Sequence, residues 1–162
     1  MSVFSPVERA AVRRGPGATG TVVEMHRDPA ALRALVPDWE ELAAEAAEPN
    51  PFYEHWMLLP ALEAYGAEGF RCFAVWDSGT LAALFPMRLE RGWRRLPVTA
   101  LRSWRHRNML ICTPLLRAKS AERCITALLQ SAPAPLVEFD WMSAGGSFFA
   151  ALCEAMADGG WP

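Results

Sequence analysis

The sequence predicts an α/β fold of the α+β type, in which helices cover a mainly antiparallel sheet. Three observations predict it. Apolar residues recur at helical spacing between residues 29 and 65, strand-like runs joined by a turn follow from residue 70, and a helix, a strand and a helix follow residue 119. The predicted order of elements is β-α-α-β-β-β-α-β-α. The length of 162 residues suits one domain, and 52% apolar residues are typical of a globular protein.

The first two elements are a strand and a helix. Residues 21–26, TVVEMH, have the β-branched character of a strand. Asp28-Pro29 supplies a helix N-cap followed by proline at the first helical position. These residues predict a helix through residue 47, which Pro37 kinks or divides into two short helices.

A second helix is predicted from the next Asn-Pro pair. Asn50-Pro51 caps a helix over residues 51–65 that Gly66 ends, and Pro60 predicts a kink within it. Its apolar face is predicted to pack on the sheet and consists of Phe52, Trp56, Leu59 and Leu62.

Three strands of an antiparallel meander are predicted next. The runs FRCFAVWD and TLAALFPMRLE are joined by Asp77-Ser78-Gly79, a turn that needs a residue with positive φ. After a turn at Gly92, LPVTALRSW predicts the third strand. Residues 105–117 are predicted to form a loop.

The last elements are a helix, a strand and a helix. Ser120 is a candidate cap for a helix that runs to about residue 131. The run LVEFDWM predicts a strand in which Glu138 and Asp140 share one face, where they either flank a cleft or are solvated. The turn Ala144-Gly145-Gly146 then leads into a helix over residues 148–157; without a following lysine, its glycines indicate an ordinary turn and not a phosphate loop.

Composition excludes several classes of protein. No apolar run is long enough to cross a membrane, and residues 1–19, which hold no signal peptide, are predicted to be a disordered tail before a domain over residues 20–162. The cysteines lie among apolar neighbours without CxxC spacing or nearby histidines, so we predict buried, reduced thiols, no metal site and a cytoplasmic protein. They are Cys72, Cys112, Cys124 and Cys153.

Charge is distributed unevenly along a chain whose net charge is −2. Residues 28–68 hold nine acids and one base, whereas residues 88–123 hold ten bases and two acids. Such asymmetry is typical of an anion-binding face, of two elements that complement each other, or of two solvated faces. No nucleic-acid-binding motif accompanies the fifteen arginines, so no nucleic-acid partner is predicted.

The loop Arg105-His106-Arg107-Asn108 is the candidate site. The arginines suit a phosphate or carboxylate, and the histidine suits a general base. The alternative is a basic, solvent-exposed loop. His106 with Cys112 is a weak nucleophile pair, because no third group orients the base and Cys112 lies in an apolar run. No catalytic residue is assigned.

The order of elements and a series of short motifs resemble the GNAT acyltransferases, in particular the N-terminal half of the CelD/BcsL group, which is related in architecture to the FemABX peptidyltransferases. The resemblance covers roughly residues 20–162. The motifs occur in the family's order: Trp39 with Leu42, Asn50-Pro51-Phe52, Phe85-Pro86 and Thr113-Pro114-Leu115.

The resemblance implies a cytoplasmic protein with two tandem GNAT-like halves that transfers an acyl group from acetyl-CoA or another acyl-CoA. It also implies a link to cellulose or exopolysaccharide biosynthesis. The sequence ends at GGWP, where a next strand is expected, so the second half is expected to be missing. The implied partners are a C-terminal GNAT-like half, a partner chain, or further copies of this chain in a homo-oligomer.

One family feature is absent. The family's glycine-rich turn places free backbone N–H groups around the pyrophosphate of coenzyme A, but here the stretch is ICTPLLRAKSAER, without glycine. We therefore predict no cofactor for this chain alone, and a scaffolding or acceptor-binding role. The alternatives are a stand-alone interaction module that uses an exposed sheet edge, and an active single-domain transferase with a cofactor cleft near residues 105–120.

Overall fold

The computed structural model describes residues 20–159, and within them helices lie on both faces of one six-stranded sheet. The strands are β1 (Thr21–His26), β2 (Phe70–Asp77), β3 (Thr80–Arg91), β4 (Thr99–Ser103), β5 (Leu115–Leu116) and β6 (Leu136–Glu138). The helices are α1 (Pro29–Leu32), α2 (Val36–Ala44), α3 (His55–Tyr65), α4 (Ala121–Ser131) and α5 (Ser147–Gly159). The predicted α+β class is confirmed.

The sheet is antiparallel except at one edge. Its strand order is β1-β2-β3-β4-β6, and β5 pairs separately with β3. β4 and β6 run parallel, with Leu101 opposite Val137. The connection between them contains α4, because parallel neighbours need a crossover that returns the chain to the same end of the sheet.

Proline divides the first helical segment, as predicted. Asp28 caps α1 by accepting a hydrogen bond from the N–H of Ala30 at 2.9 Å. A 3₁₀ turn over Arg33–Leu35 separates α1 from α2, and Pro37 lies in the first turn of α2, where its missing N–H is not needed.

The prediction for the second helix was wrong about Trp56. Asn50 caps a 3₁₀ turn over Pro51–Tyr53, Glu54 is extended, and α3 begins only at His55. This break shifts the helical phase, so Trp56 is 54% exposed whereas Tyr53 is fully buried. Leu59 and Leu62, on the same predicted face, are buried as expected.

Two hydrophobic cores lie on the two faces of the sheet. On one face α1, α2 and α3 cover Phe70, Cys72 and Ala74 of β2. On the other face α4 and α5 cover Phe73 and Val75 of the same strand. The alternation of side chains along a strand therefore supplies both cores, and burial on both faces explains why β2 is a nearly continuous apolar run.

The third predicted strand and the loop after it differ in detail from the structure. β4 covers only Thr99–Ser103, and the predicted loop of residues 105–117 contains the two-residue strand β5. The turn between α3 and β2 requires glycine at residue 69, because Gly69 has φ of +70° and a Cβ there would lie 2.7 Å from the carbonyl oxygen of Leu89.

Three of the four cysteines match the predicted burial. Cys72, Cys112 and Cys124 are buried, whereas Cys153 is exposed on α5, so the prediction for Cys153 was wrong. Among residues 20–159, no group of histidine, cysteine and acidic residues forms a metal cluster, and no helix has the length and apolarity needed to cross a membrane. The tail predicted for residues 1–19 lies outside the described residues.

Candidate functional site

The candidate loop follows β4 at the carboxyl end of the parallel strand pair. Arg105 lies two residues after the end of β4, and Asp140 lies two residues after the end of β6. Arg105 Nε lies 3.4 Å from Asp140 Oδ2, and the Arg105 guanidinium lies 5.0 Å from the centre of the Trp141 ring. The two strand ends are therefore joined by an ion pair and a cation–π contact, at the position where open sheets commonly bind ligands.

Arg102 of β4 is the centre of an ion-pair network. Its Nη1 donates to Glu90 Oε2 at 3.1 Å and its Nη2 donates to Asp140 Oδ2 at 3.3 Å. Its Nε lies 3.0 Å from Glu138 Oε2, although the N–H points away from the line of a hydrogen bond. Burial alone would lower the pKa of Arg102, but the hydrogen bond to Glu90 and the charge of Glu138 raise it.

Glu138 and Asp140 both lie against Arg102, but β6 ends at Glu138, so Asp140 lies beyond the strand and the prediction that LVEFDWM is one strand was too long. The two acids are not a solvated pair. Their side chains are only 19% and 18% exposed. Glu138 also accepts a hydrogen bond from Trp93 Nε1, and Arg94 Nη2 lies 3.6 Å from its Oε1. These two acids therefore hold the side chains at the bottom of the site in place.

An open cleft of about 320 Å³ lies beside this network. It is lined by Arg88, Glu90, Arg102, Ser103, Arg105, His106 and Arg107. Four of these side chains are arginines and one is an acid, so the lining is strongly cationic.

The structure brings Arg105, His106 and Arg107 into the cleft and excludes Asn108. The Nδ2 of Asn108 donates to the hydroxyl of Tyr65 at 2.7 Å, and Asn108 does not contribute to the lining. The site residues predicted from the sequence did not include Arg88, Glu90 and Arg102. Charged side chains within otherwise apolar strands were the available signal, and the register that places Arg88 opposite Arg102 makes them neighbours.

His106 is held in one orientation by three neighbours. Its ring stacks on Tyr65 with centroids 4.2 Å apart and planes inclined by 6°, and it meets Trp104 edge-on. Its Nδ1 accepts the backbone N–H of Asn108 at 3.3 Å, so the proton of the neutral ring lies on Nε2. Burial lowers the pKa of His106 and favours this neutral form. In this tautomer, Nε2 is a donor and not a general base.

His106 and Cys112 do not form a nucleophile pair in this arrangement. Cys112 is buried, and its thiol interacts with the hydroxyl of Tyr53. Burial raises the pKa of the Cys112 thiol to about 11, which leaves almost no thiolate at neutral pH.

Three of the motif residues that carry the family resemblance, Trp39, Asn50 and Thr113, take part in buried hydrogen bonds. Asn50 Nδ2 donates to the carbonyl of Thr113 at 2.8 Å, and Trp39 Nε1 donates to the carbonyl of Tyr53 at 2.9 Å. The Tyr53 hydroxyl in turn donates to the carbonyl of Trp104 at 2.6 Å, directly before the candidate loop. These residues therefore position the start of the loop and do not line the cleft.

The glycine turn before α5 already holds an internal carboxylate. Glu48 Oε1 accepts the backbone N–H of Phe148 at 2.7 Å and the hydroxyl of Ser147 at 3.2 Å. A Cβ on Gly146 would lie 2.5 Å from this oxygen, so glycine is needed for the close approach. The turn therefore connects the N-terminus of α5 to the segment after α2 through Glu48, in agreement with the prediction that it is an ordinary turn and not a phosphate loop.

A second pocket lies at the N-terminus of α4, the position at which the family resemblance implies the cofactor pyrophosphate. Its volume is about 170 Å³, below the roughly 300–1,000 Å³ of most ligand sites. Its charged lining consists of two bases and two acids: Lys119, Arg123, Glu122 and Glu154. Arg123 is moreover engaged by Asp77 at 2.6 Å, so the pocket offers little to a phosphate.

The charge asymmetry of the sequence is explained only in small part by complementary elements. Within residues 20–159, only one ion pair joins the acid-rich segment to the base-rich segment, that of Glu45 with Arg117. The remaining paired bases of the second segment use Glu90, Asp77, Glu138 and Asp140. The cationic cleft is therefore built within the C-terminal part of the sheet.

Comparison with known proteins gives no family assignment. No protein-family model matches the sequence, and no curated protein is similar to it.

Proposed function

We propose that the chain is a GNAT-like domain of the CelD/BcsL kind that binds an anionic acceptor and supports acyl transfer without binding the acyl donor. The observation that carries this proposal is the arginine-lined cleft at the carboxyl ends of β4 and β6. The meander followed by helix, strand and helix is the order of elements that the resemblance implies, and it supports the proposal.

The proposal assigns the donor to another half or chain. The neutral, small pocket at the N-terminus of α4 and the absence of glycine from residues 111–120 support this assignment. Acetyl-CoA or another acyl-CoA is then held by a C-terminal GNAT-like half or a partner chain. The acyl group reaches an acceptor whose anionic group is held by the cleft. A link to cellulose or exopolysaccharide synthesis belongs to this proposal, as does a cytoplasmic location.

Titration of the ¹⁵N-labelled chain with acetyl-CoA tests the donor assignment. We expect no change at the amides of residues 117–123, since the helix N-terminus there lacks a phosphate cradle. Saturable shifts at those amides with a micromolar Kd would overturn the proposal and support an active single-domain transferase. Shifts confined to residues 102–107 would show that the cleft holds a phosphate of the cofactor. That result contradicts the absence of donor binding, although not the absence of a pyrophosphate site at α4.

A second candidate function rests on the sheet edge. Among the described residues, β1 pairs only with β2, so the outer edge of a six-residue strand has no strand beside it. Such an edge can accept a strand from a second copy or from another protein. Size-exclusion chromatography with light scattering discriminates: a dimer supports this function for a second copy, whereas a monomer over a hundredfold concentration range contradicts it.

A further inference from the structure

Arginines outnumber acids at the cleft. Four arginines line it, and three carboxylates pair with them, those of Glu90, Glu138 and Asp140. Arg94 also pairs with Glu138, but its side chain is 70% exposed and lies outside the lining. The lining therefore keeps an excess of positive charge that favours an anionic ligand.

Three of the lining arginines can reach a ligand without dismantling the network. Arg107 makes no ion pair within the part of the chain that the structure describes. Arg105 shares Asp140 with Arg102, and Arg88 shares Glu90 with Arg102. If Arg88 or Arg105 turns towards a ligand, the acid that it leaves still has Arg102 as an ion-pair partner.

His106 adds a directed neutral donor to these charges. Because the Asn108 N–H occupies Nδ1, the imidazole presents Nε2–H, and the Tyr65 stack holds the ring in place. An oxyanion with several acceptor oxygens can accept hydrogen bonds from the guanidinium groups and also from this neutral imidazole N–H.

We infer that the cleft binds a phosphate dianion, either inorganic phosphate or the phosphoryl end of a phosphate monoester, through Arg88, Arg105, Arg107 and the Nε2–H of His106. The phosphoryl group has enough acceptor oxygens for three guanidinium groups and the imidazole, and its two negative charges strengthen each of these hydrogen bonds. A monocarboxylate has two acceptor oxygens and one charge, and so forms fewer and weaker charge-assisted hydrogen bonds with the same groups. This inference rests on the proposed anion-binding function and names the ligand class.

Amide-detected NMR titration with inorganic phosphate and with acetate, at pH 7.5 and equal ionic strength, tests the inference. We expect saturable shifts at residues 102–107 with phosphate and at least tenfold weaker binding of acetate. Glycerol 3-phosphate serves as the monoester: tighter binding than free phosphate assigns the monoester as the source, and equal binding assigns the phosphoryl group alone. Equal shifts with phosphate and acetate overturn the phosphate class but leave an anion site. No shifts with either anion overturn the proposed function as well.

Matched arginine substitutions locate the site. Arg107→Gln is expected to weaken phosphate binding about tenfold, the cost of one charge-assisted hydrogen bond, and Arg105→Gln is a second test. Arg33→Gln is the control, since it removes the same charge from an exposed residue that pairs with Glu63. Equal loss in all three variants would show a general charge effect and overturn the assignment. Long-range ¹⁵N spectra of His106 are expected to show the Nε2–H form, and protonation at Nδ1 in the free protein would overturn its role.

Discussion

Gly146→Ala is expected to destabilise the protein for a reason that a second substitution can remove. The new methyl group would lie 2.5–2.7 Å from the Glu48 carboxylate. The carboxylate ends a flexible side chain and can move away, so the clash itself costs little. What is lost is the hydrogen bond from the Phe148 N–H and the favourable position of a negative charge at the N-terminus of α5.

The magnitude follows from these two interactions. A charge-assisted hydrogen bond contributes about 1.5–3 kcal/mol, and partial exposure of Glu48 places the loss at about 1.5 kcal/mol. Alanine also restricts the unfolded chain, which stabilises by about 0.5 kcal/mol where φ is compatible, and Gly146 does not have positive φ. We therefore expect Gly146→Ala to cost about 1 kcal/mol, which lowers Tm by roughly 2–4 °C.

The double-mutant cycle with Glu48→Ala gives the decisive measurement. In the Glu48→Ala background the clash and the hydrogen bond are both absent, so Gly146→Ala should become stabilising by about 0.5 kcal/mol. Urea unfolding of the wild type, the two single variants and the double variant, followed by circular dichroism, yields the coupling free energy between Gly146→Ala and Glu48→Ala. The change of sign is the expected result, and additive effects of the two substitutions would refute the account of this turn.

Three further predictions concern the cores and the titrating groups. Trp39→Ala should destabilise by about 3–5 kcal/mol because Trp39 is fully buried, whereas Trp56→Ala, at 54% exposure, should cost less than about 1 kcal/mol in urea unfolding. A disulfide reagent at pH 8 should label Cys153 in the folded protein, because this thiol is exposed. It should label Cys112 only on unfolding, because Cys112 is buried and burial raises its pKa to about 11. Equal labelling rates of the two cysteines would contradict this. Because burial lowers the pKa of His26, the unfolded state binds more protons as pH falls, so unfolding free energy should decrease below about pH 6.5, and less so in His26→Gln.

Local chemistry determined much of the fold directly. Asp28 and Asn50 cap the segments that follow them because their side chains accept N–H groups two residues later, an interaction that needs no tertiary partner. The Asp77-Ser78-Gly79 turn is similar, since Ser78 and Gly79 both have positive φ and close the hairpin of β2 and β3. Such features span a few residues and can be predicted from sequence.

The phase of the second helix and the exposure of its side chains were not determined by the local sequence. The apolar spacing through Phe52 and Trp56 predicted one continuous helical face, but the extended Glu54 interrupts it. The Tyr53 side chain lies in the core, and its hydroxyl donates a hydrogen bond to the carbonyl of Trp104, fifty-one residues away. A pattern within residues 50–65 cannot show this contact. The same holds for Glu48, whose partner at Phe148 is a hundred residues distant.

The candidate site divides in the same way. The sequence by itself determined a basic loop after a strand, with Arg105, His106 and Arg107 as candidates, because those residues are contiguous. Only the tertiary structure decided that Arg88 and Arg102 join them and that Asn108 does not, because antiparallel register sets one strand beside another. The physical reason is that a cationic cleft depends on charges brought together across strands, and strand pairing is a long-range choice that local propensity does not encode.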